Sequence, residues 1–489
     1  MWVFLTIAFA GLDFMLYVLV QFFLESAREK QLGHRALGLS ARRAKSRRVV
    51  LMKPLKPSIK DRSKVQESVM RTAGAVVLLA TMSNLAWTQA TLGQTTEMPS
   101  TAQGNRPTVR NQGDELVAAS EQDTPGSPPA TQPSDPQWGY GGFLDAAYLL
   151  DFNHPTNHLF RSRGTAYKVD EPILNMGAAY LRKSASESSR WGLEVTLQGG
   201  QDSRIFGFSA TAPNLPGSEW LRHLGPTDAS FLAPLGKGLT VQVGIFSSLI
   251  GYDSLYAKDN FNHTRPWGAD LTPYLMMGVN ASYPFLERLT VTVFVVNGYW
   301  HLANANHVPN SGAQIAYKVT GHTTLKETVL FGPHQSDTGF EFWRFLWDST
   351  AEWKTDRVTT ALEYHVGTEK VATFGAPRAL WMSAQLPLHR VFTKNWSATV
   401  RPEVYWDRDG RMTGVSQTVK ANTTTLEYRI PYRRATTIVR LEHRIDDSRG
   451  PGGGFFRGGE VAPGVVGLTP TQNLLILGVI VTFDSHLQP

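Results

Sequence analysis

Cysteine is absent from all 489 residues. Disulfides, cysteine zinc centres and thiol nucleophiles are therefore excluded. The absence also suits, weakly, a chain that crosses an oxidising compartment unfolded. High apolarity is lacking too: hydrophobic residues are 42% of the chain and the mean hydropathy is −0.21. That excludes a bundle of many membrane-spanning helices. It leaves room for a membrane barrel, in which every second residue faces lipid and the rest face water. A one-signed charge excess disappears once the chain is divided. Residues 1–137 hold 16 Lys+Arg and 11 Asp+Glu, whereas residues 138–489 hold 32 and 30. The basic surplus lies mainly between Arg28 and Arg71, so the larger part of the chain has no footing for nucleic acid.

The first 137 residues read as targeting and linker. Residues 1–69 begin with an apolar run, Met1 to Phe23, interrupted by Asp13 and followed by a basic block that includes Arg28, Lys30, Arg42, Arg43, Arg47 and Arg48. Inserted, that block would stay cytoplasmic. Residues 70–90 run from Met70-Arg71 through an apolar segment to Thr88 and Ala90, the order of a secretory signal peptide with cleavage after Ala90. A signal at this depth fits either an over-extended start, with Met52 or Met70 as the true one, or an N-terminal anchor helix. Residues 91–137 are rich in Thr, Gln, Pro, Ser and Gly and cannot bury a core, so they predict a disordered lead-in.

From Trp138 onward the pattern changes. Eleven of the 13 Trp and 14 of the 15 Tyr lie here, and segments of about ten residues alternate apolar and polar. Trp191, Leu193, Val195 and Leu197 oppose Glu194, Thr196 and Gln198. Leu239, Val241, Val243 and Ile245 oppose Thr240 and Gln242, and Leu289, Val291, Val293 and Val295 oppose Thr290 and Thr292. Similar rows recur around Trp343, Val358, Trp396 and Val439, with further strands starting near Gly139, Ile173, Thr227, Pro273, Gly312, Thr324, Ala379 and Thr423. The expected fold is all-β: a closed antiparallel transmembrane barrel of about 16 strands over residues 138–483, with 484–489 as an extension. A soluble sandwich or propeller also alternates, but its strands are about half as long. Aromatics gather at strand ends (Trp138, Trp191, Tyr299, Trp300, Trp396, Trp406), as expected of side chains at a headgroup boundary. The last strand ends Leu475, Leu477, Val479, Val481, Phe483, an apolar face closed by an aromatic.

The region from Gly139 resembles the OmpL-like β-barrel porin family. The resemblance rests on Gly141-Gly-Phe-Leu-Asp145-Ala-Ala-Tyr148, Asn153-His-Pro155, Leu174-Asn-Met-Gly177, Gly192-Leu-Glu194 and Gly199-Gly-Gln-Asp202. It continues through Gly238-Leu-Thr-Val-Gln-Val-Gly244, Ile250-Gly251-Tyr252-Asp253 and Asn260-Phe-Asn262-His-Thr-Arg265. The family tends to carry glutamate where this chain has Asp253. The resemblance implies a passive channel in a bacterial outer membrane. Its partners would be outer-membrane lipid, the barrel-assembly machinery for which the last strand resembles the signal, and, as an open alternative, further copies of the chain.

If the apolar rows meet lipid, the opposite faces line the lumen. The candidate pore-lining residues are Arg344, Asp348, Glu352, Arg401, Glu403, Asp407, Arg429, Arg440, Glu442 and Arg444. Both signs are present, so the field orders water and favours small polar solutes or ions. Ion pairing that stiffens the wall is the plainer reading of any one of them. The long connection from Ile250 to Pro273 carries Asp253, Asn260, Asn262 and Arg265 and is the candidate constriction loop, with a surface loop as the alternative. Gly450 to Gly454 and Gly458-Gly459 mark a mobile connection without phosphate-loop spacing. No catalytic set, cofactor or metal set is read: His443 faces outward with no serine motif, and His365 with Glu363 lacks a second histidine at ligand spacing. An adhesin or scaffold barrel, and more remotely a lipid hydrolase, stay as alternatives.

Overall fold

The computed structural model describes residues 138–206, 218–300, 302–303, 308–335, 337–371 and 377–485. The anchor, signal and linker segments expected in 1–137 lie outside the described residues. The first hairpins are β1 (Trp138–Asp151), β2 (Pro172–Lys183), β3 (Trp191–Gly199), β4 (Leu224–Ala233), β5 (Leu239–Ser247) and β6 (Leu275–Leu286). Then come β7 (Leu289–Val296), β8 (Asn310–Lys318), β9 (Thr323–Pro333), β10 (Trp343–Lys354) and β11 (Val358–Glu369). The wall continues with β12 (Ala379–Gln385), β13 (Leu388–Val391), β14 (Trp396–Asp407), β15 (Gln417–Tyr432) and β16 (Ala435–Arg449). A small hairpin, β17 (Phe455–Ala462) and β18 (Val465–Thr469), precedes β19 (Thr471–Asp484).

Sequence neighbours pair antiparallel, and β1 pairs with both β2 and β19, so the sheet closes on itself. β12 and β13 lie end to end between β11 and β14 and share one position, which makes a barrel of 16 strands. The break falls at Leu386-Pro387, where proline has no N–H for the ladder. Instead the Pro387 carbonyl accepts from Ala361 N and the Pro402 carbonyl from Leu386 N.

Connections differ sharply between the two ends. One end has 184–190, 234–238, 287–288, 319–322, 355–357, 392–395 and 433–434, together with the start of β1 and the end of β19. The other has 152–171, 200–223, 248–274, 297–309, 334–342, 370–378, 408–416 and 450–470. Short turns at one rim and long loops at the other are the habit of outer-membrane barrels.

The apolar rows stand on the outside. Leu144, Leu197, Val293, Leu441 and Leu477 are each at least half exposed, a cost no water-facing surface of this extent would carry. Aromatics ring the short-turn rim, where Trp138 meets Trp191 at 6.0 Å, Tyr140 meets Phe483 at 5.9 Å and Trp396 meets Tyr428 at 4.5 Å. At the long-loop rim, Phe331 lies 5.4 Å from Trp343. The expected extension is partly woven in: Asp484 closes β19 and accepts from Tyr180 Oη at 2.7 Å, and Ser485 bonds the backbone of Tyr140.

Two outward assignments need correction. Ile245 is only 3% exposed and belongs to a buried cluster with Leu255 and Tyr274 of the loop that follows β5, although the pairing of β5 with β4 and β6 runs unbroken through Gly244. Tyr299 belongs to no membrane boundary: it is fully buried in loop 297–309, donates to the Leu271 carbonyl at 2.9 Å and lies under the Arg344 guanidinium. Trp300 packs beside it. The glycine-rich connection 450–470, expected to be mobile, carries the β17–β18 hairpin, and Phe455 at its base is buried against Phe160 and Trp267.

Candidate functional site

Residues 248–274, between β5 and β6, turn into the barrel. Leu255, Ala257, Trp267, Ala269 and Leu271 of this loop are buried, so its own apolar side chains supply much of the reason to fold inward. The turn starts at Gly251, whose φ of +87° is the left-handed region that favours glycine. A short helical turn, Trp267–Asp270, closes the loop.

Backbone groups of a loop that leaves water need partners, and here the wall provides them. Glu442 accepts from His263 N at 2.6 Å and Thr264 N at 3.0 Å, and the Thr264 hydroxyl donates to it as well. Arg440 donates to the carbonyls of Ala257 (2.6 Å), Asn260 and Asn262, and pairs with Glu427 at 2.7 Å. Arg444 donates to the Arg265 carbonyl at 3.0 Å and pairs with Glu403 and Asp446 at 2.9 Å each. Trp267 donates its backbone N–H to Glu403 and its indole to Asp446 at 2.8 Å. Further round, Tyr252 donates its N–H to Glu363 and its hydroxyl to Glu352 at 2.8 Å, and Gly251 N reaches Asp348. On the far side the Gln314 and Thr328 side chains both donate to the Leu249 carbonyl.

Burial on this scale shifts loop acids. Asp253 is held above the usual carboxylate range by burial, against the pull of Arg401. Asp202, in the loop after β3, is pushed up to about 7 by burial although Arg265 stands 3.3 Å away. His263 is held below its ordinary value by burial, which outweighs Asp145 and Glu442.

Residues 138–483 match the family described as putative beta-barrel porin-2, OmpL-like. The chain belongs to that family. No curated protein matches it. Solved structures similar to this porin-2 barrel include the outer membrane channel DcaP of Acinetobacter baumannii, at 11% identity over 72% of this chain and 97% of that one, with a TM-score of 0.43. The anion-selective porin from Comamonas acidovorans is 10% identical over 71% of this chain and all of its own, TM-score 0.46. OmpT of Vibrio cholerae in its trimer form is 9% identical over 71% and 99%, TM-score 0.44.

In this porin-2 barrel the ten charged wall residues named from the sequence take three kinds of place. Asp348, Glu352, Arg401, Glu403, Arg440, Glu442 and Arg444 point at loop 248–274; Arg401 pairs with Glu403 and donates to Asn262. Arg344 and Arg429 point inward and pair with Glu369 and Glu427. Asp407 instead serves a rim turn, accepting from the backbone N–H of Arg411, Met412 and Thr413. Arg401, Arg440, Glu442 and Arg444 are 0% exposed, so they meet the loop and not open water.

Of the loop residues, Asp253 accepts from Gln385 at 2.6 Å, Asn262 donates to Thr425 at 2.7 Å, and Arg265 reaches Asp202. Asn260 braces the loop internally through both backbone groups of Ser254. The sequence places His263 in the long connection and Asp446 on the polar face of the last strands without giving either a role, and it offers no signal for Trp267, since no period runs through a loop. Asp446 shared the polar face with Arg444 two residues away, a signal in plain view.

Proposed function

We propose that this barrel is an outer-membrane channel for passive diffusion of small polar solutes or ions, narrowed by loop 248–274. The observation that supports this best is the belt of charge-assisted bonds from Glu442, Arg440 and Arg444 to the backbone of Ala257–Arg265. A loop held this firmly at mid-lumen sets the width and field of whatever path remains. The long loops would then face the cell exterior and the short turns the periplasm. Export through the secretory signal of residues 70–90, insertion by the barrel-assembly machinery and homo-oligomer formation belong to the same reading.

Planar-bilayer recording of the purified full chain tests it. We expect small, discrete conductance steps that grow severalfold when residues 253–266 are replaced by a short Gly-Ser linker. Silence from both proteins, each verified as folded by its faster gel migration before boiling, sinks the channel.

One observation favours a second reading. Arg401, Arg440 and Arg444 are completely buried, so the barrel could be a plugged scaffold or adhesin with no conducting path. The same recording separates the two. A lipid-hydrolysing barrel has less support: across the ladder from His443 stand Thr424 and Leu475, neither of them a serine nucleophile.

A further inference from the structure

Asp348 of β10 stands directly opposite His365 of β11 in the antiparallel ladder, and Glu363 lies two residues before His365 on the same inward face. Each can offer one ligand atom, and these atoms lie within 4.8 Å of one another. All three residues are at least 97% buried. His365 Nε2 has no hydrogen-bond partner, although buried polar atoms nearly always find one, and the Asp348 and Glu363 carboxyls lie in hydrogen-bond contact with each other. Two carboxylates this close and this deep need a cation or a shared proton between them. The nearby arginines are engaged elsewhere, Arg344 with Glu369 at 2.7 Å and Arg401 with Glu403 and Asp253, and the buried Lys326 of β9 is shared between Glu352 and Asp348.

We propose that Asp348, Glu363 and His365 bind one first-row divalent transition-metal ion, Zn2+ by preference, which clasps loop 248–274 to the β10–β11 wall. One imidazole nitrogen with two carboxylates is a zinc-type donor set, whereas calcium and magnesium take oxygen alone. The surrounding bonds are those of ligand-orienting neighbours. Gly251 N donates to Asp348 at 3.3 Å, Tyr252 N donates to Glu363 at 3.1 Å, and Gln385 joins Glu363 to Asp253 of the loop. The other arm of the loop shuts the site: a Cβ on Gly268 would stand 2.8 Å from the His365 ring. Both arms of the loop thus touch the same three side chains. The clasp's effect on conductance rests on the channel reading above, whereas metal binding itself does not.

The experiment uses the untagged full-length protein, folded in detergent and stripped with a chelator, titrated with ZnCl2 by calorimetry and analysed for bound metal by mass spectrometry. We expect one Zn2+ per barrel, an affinity loss of about tenfold or more in His365→Gln and in Asp348→Asn, and unchanged binding in His443→Ala on the lipid face. Folding of each variant is read from migration before boiling. A folded wild type that takes up no zinc overturns the site, and so does zinc uptake that survives both substitutions. In bilayers, zinc should lower the open time of the wild type but not of Asp348→Asn. Zinc binding without any conductance would keep the site and remove the channel; conductance without zinc binding would do the reverse.

Discussion

Two sectors of the same barrel treat the lumen differently. Along β10–β16 the inward faces carry Arg344, Glu363, Arg401, Glu403, Arg440, Glu442 and Arg444, and these bind the inserted loop, one another or a neighbouring wall carboxylate such as Glu369 or Glu427. Along β5–β8 the inward faces carry Gln242, Asn280, Ser282, Thr292 and Gln314, with Lys318 only at the short-turn end. The polar side chains of that neutral sector bond mainly within it, as Asn280 does with Gln242 at 2.8 Å, and reach the loop at the Leu249 carbonyl, while Ile245, Phe294 and Val296 meet the loop through apolar packing. The contrast teaches that charge inside a barrel need not mean a charged water path. Here it supplies partners for a loop whose backbone has left solvent.

The contrast can be broken or sharpened by substitution. The largest effect is expected from Glu442→Ala, which strands the N–H groups of His263 and Thr264 beside Arg440 and Arg401. Loss of one partner in a buried charged network costs about 3–5 kcal/mol. Hydrogen exchange at His263 and Thr264 should rise steeply, and exchange no faster than in the wild type would sink the clamp.

Next comes a pH effect that tests a clamp outside the charged sector. The Asp202 carboxyl is raised to about 7 from an ordinary 3.8, so the docked loop keeps a proton that a freed loop gives up. Docking should therefore be firmest below about pH 4, weaken as pH rises through about 7, and level off above. Comparing wild type with Asp202→Asn by open-state frequency in bilayers between about pH 5 and about pH 8 isolates this group. Parallel pH curves for the two proteins would remove Asp202 from the account.

Asn262→Ala removes the bonds to Thr425 and Arg401 and should cost about 1–3 kcal/mol of loop docking, read by the same exchange experiment. The smallest change belongs to the neutral sector. Gln242→Ala should cost about 0.5–1.5 kcal/mol and leave exchange in the loop untouched. If Gln242→Ala freed the loop as readily as Glu442→Ala, the two sectors would not differ in the way described.

Much of this was legible in advance because it is local. The row Trp191, Leu193, Val195, Leu197 and the row Leu475 to Phe483 stand on the outside as their alternation requires, and most wall strands begin within a few residues of where period two begins, whereas β15 starts at Gln417, well before Thr423. Ile245 differs from its row because Leu255 and Tyr274 of the following loop cluster with it, a contact that no strand period records. Tyr299 was misread because an aromatic at a strand end can as well serve a loop core as a headgroup boundary. Glu363 and His365 were seen as an incomplete metal pair, since their third partner, Asp348, is absent from their own strand.

What the sequence determined by itself is the outward apolar face, the approximate strand positions and the family, since alternation and turn chemistry act over a few residues. What only the tertiary structure decided is the state of the charges. Whether Arg440 meets water or the Asn262 carbonyl, and whether Asp348 finds His365, depends on strand register and on a loop crossing the closed barrel. Those contacts join residues far apart in the chain, and no local period records them.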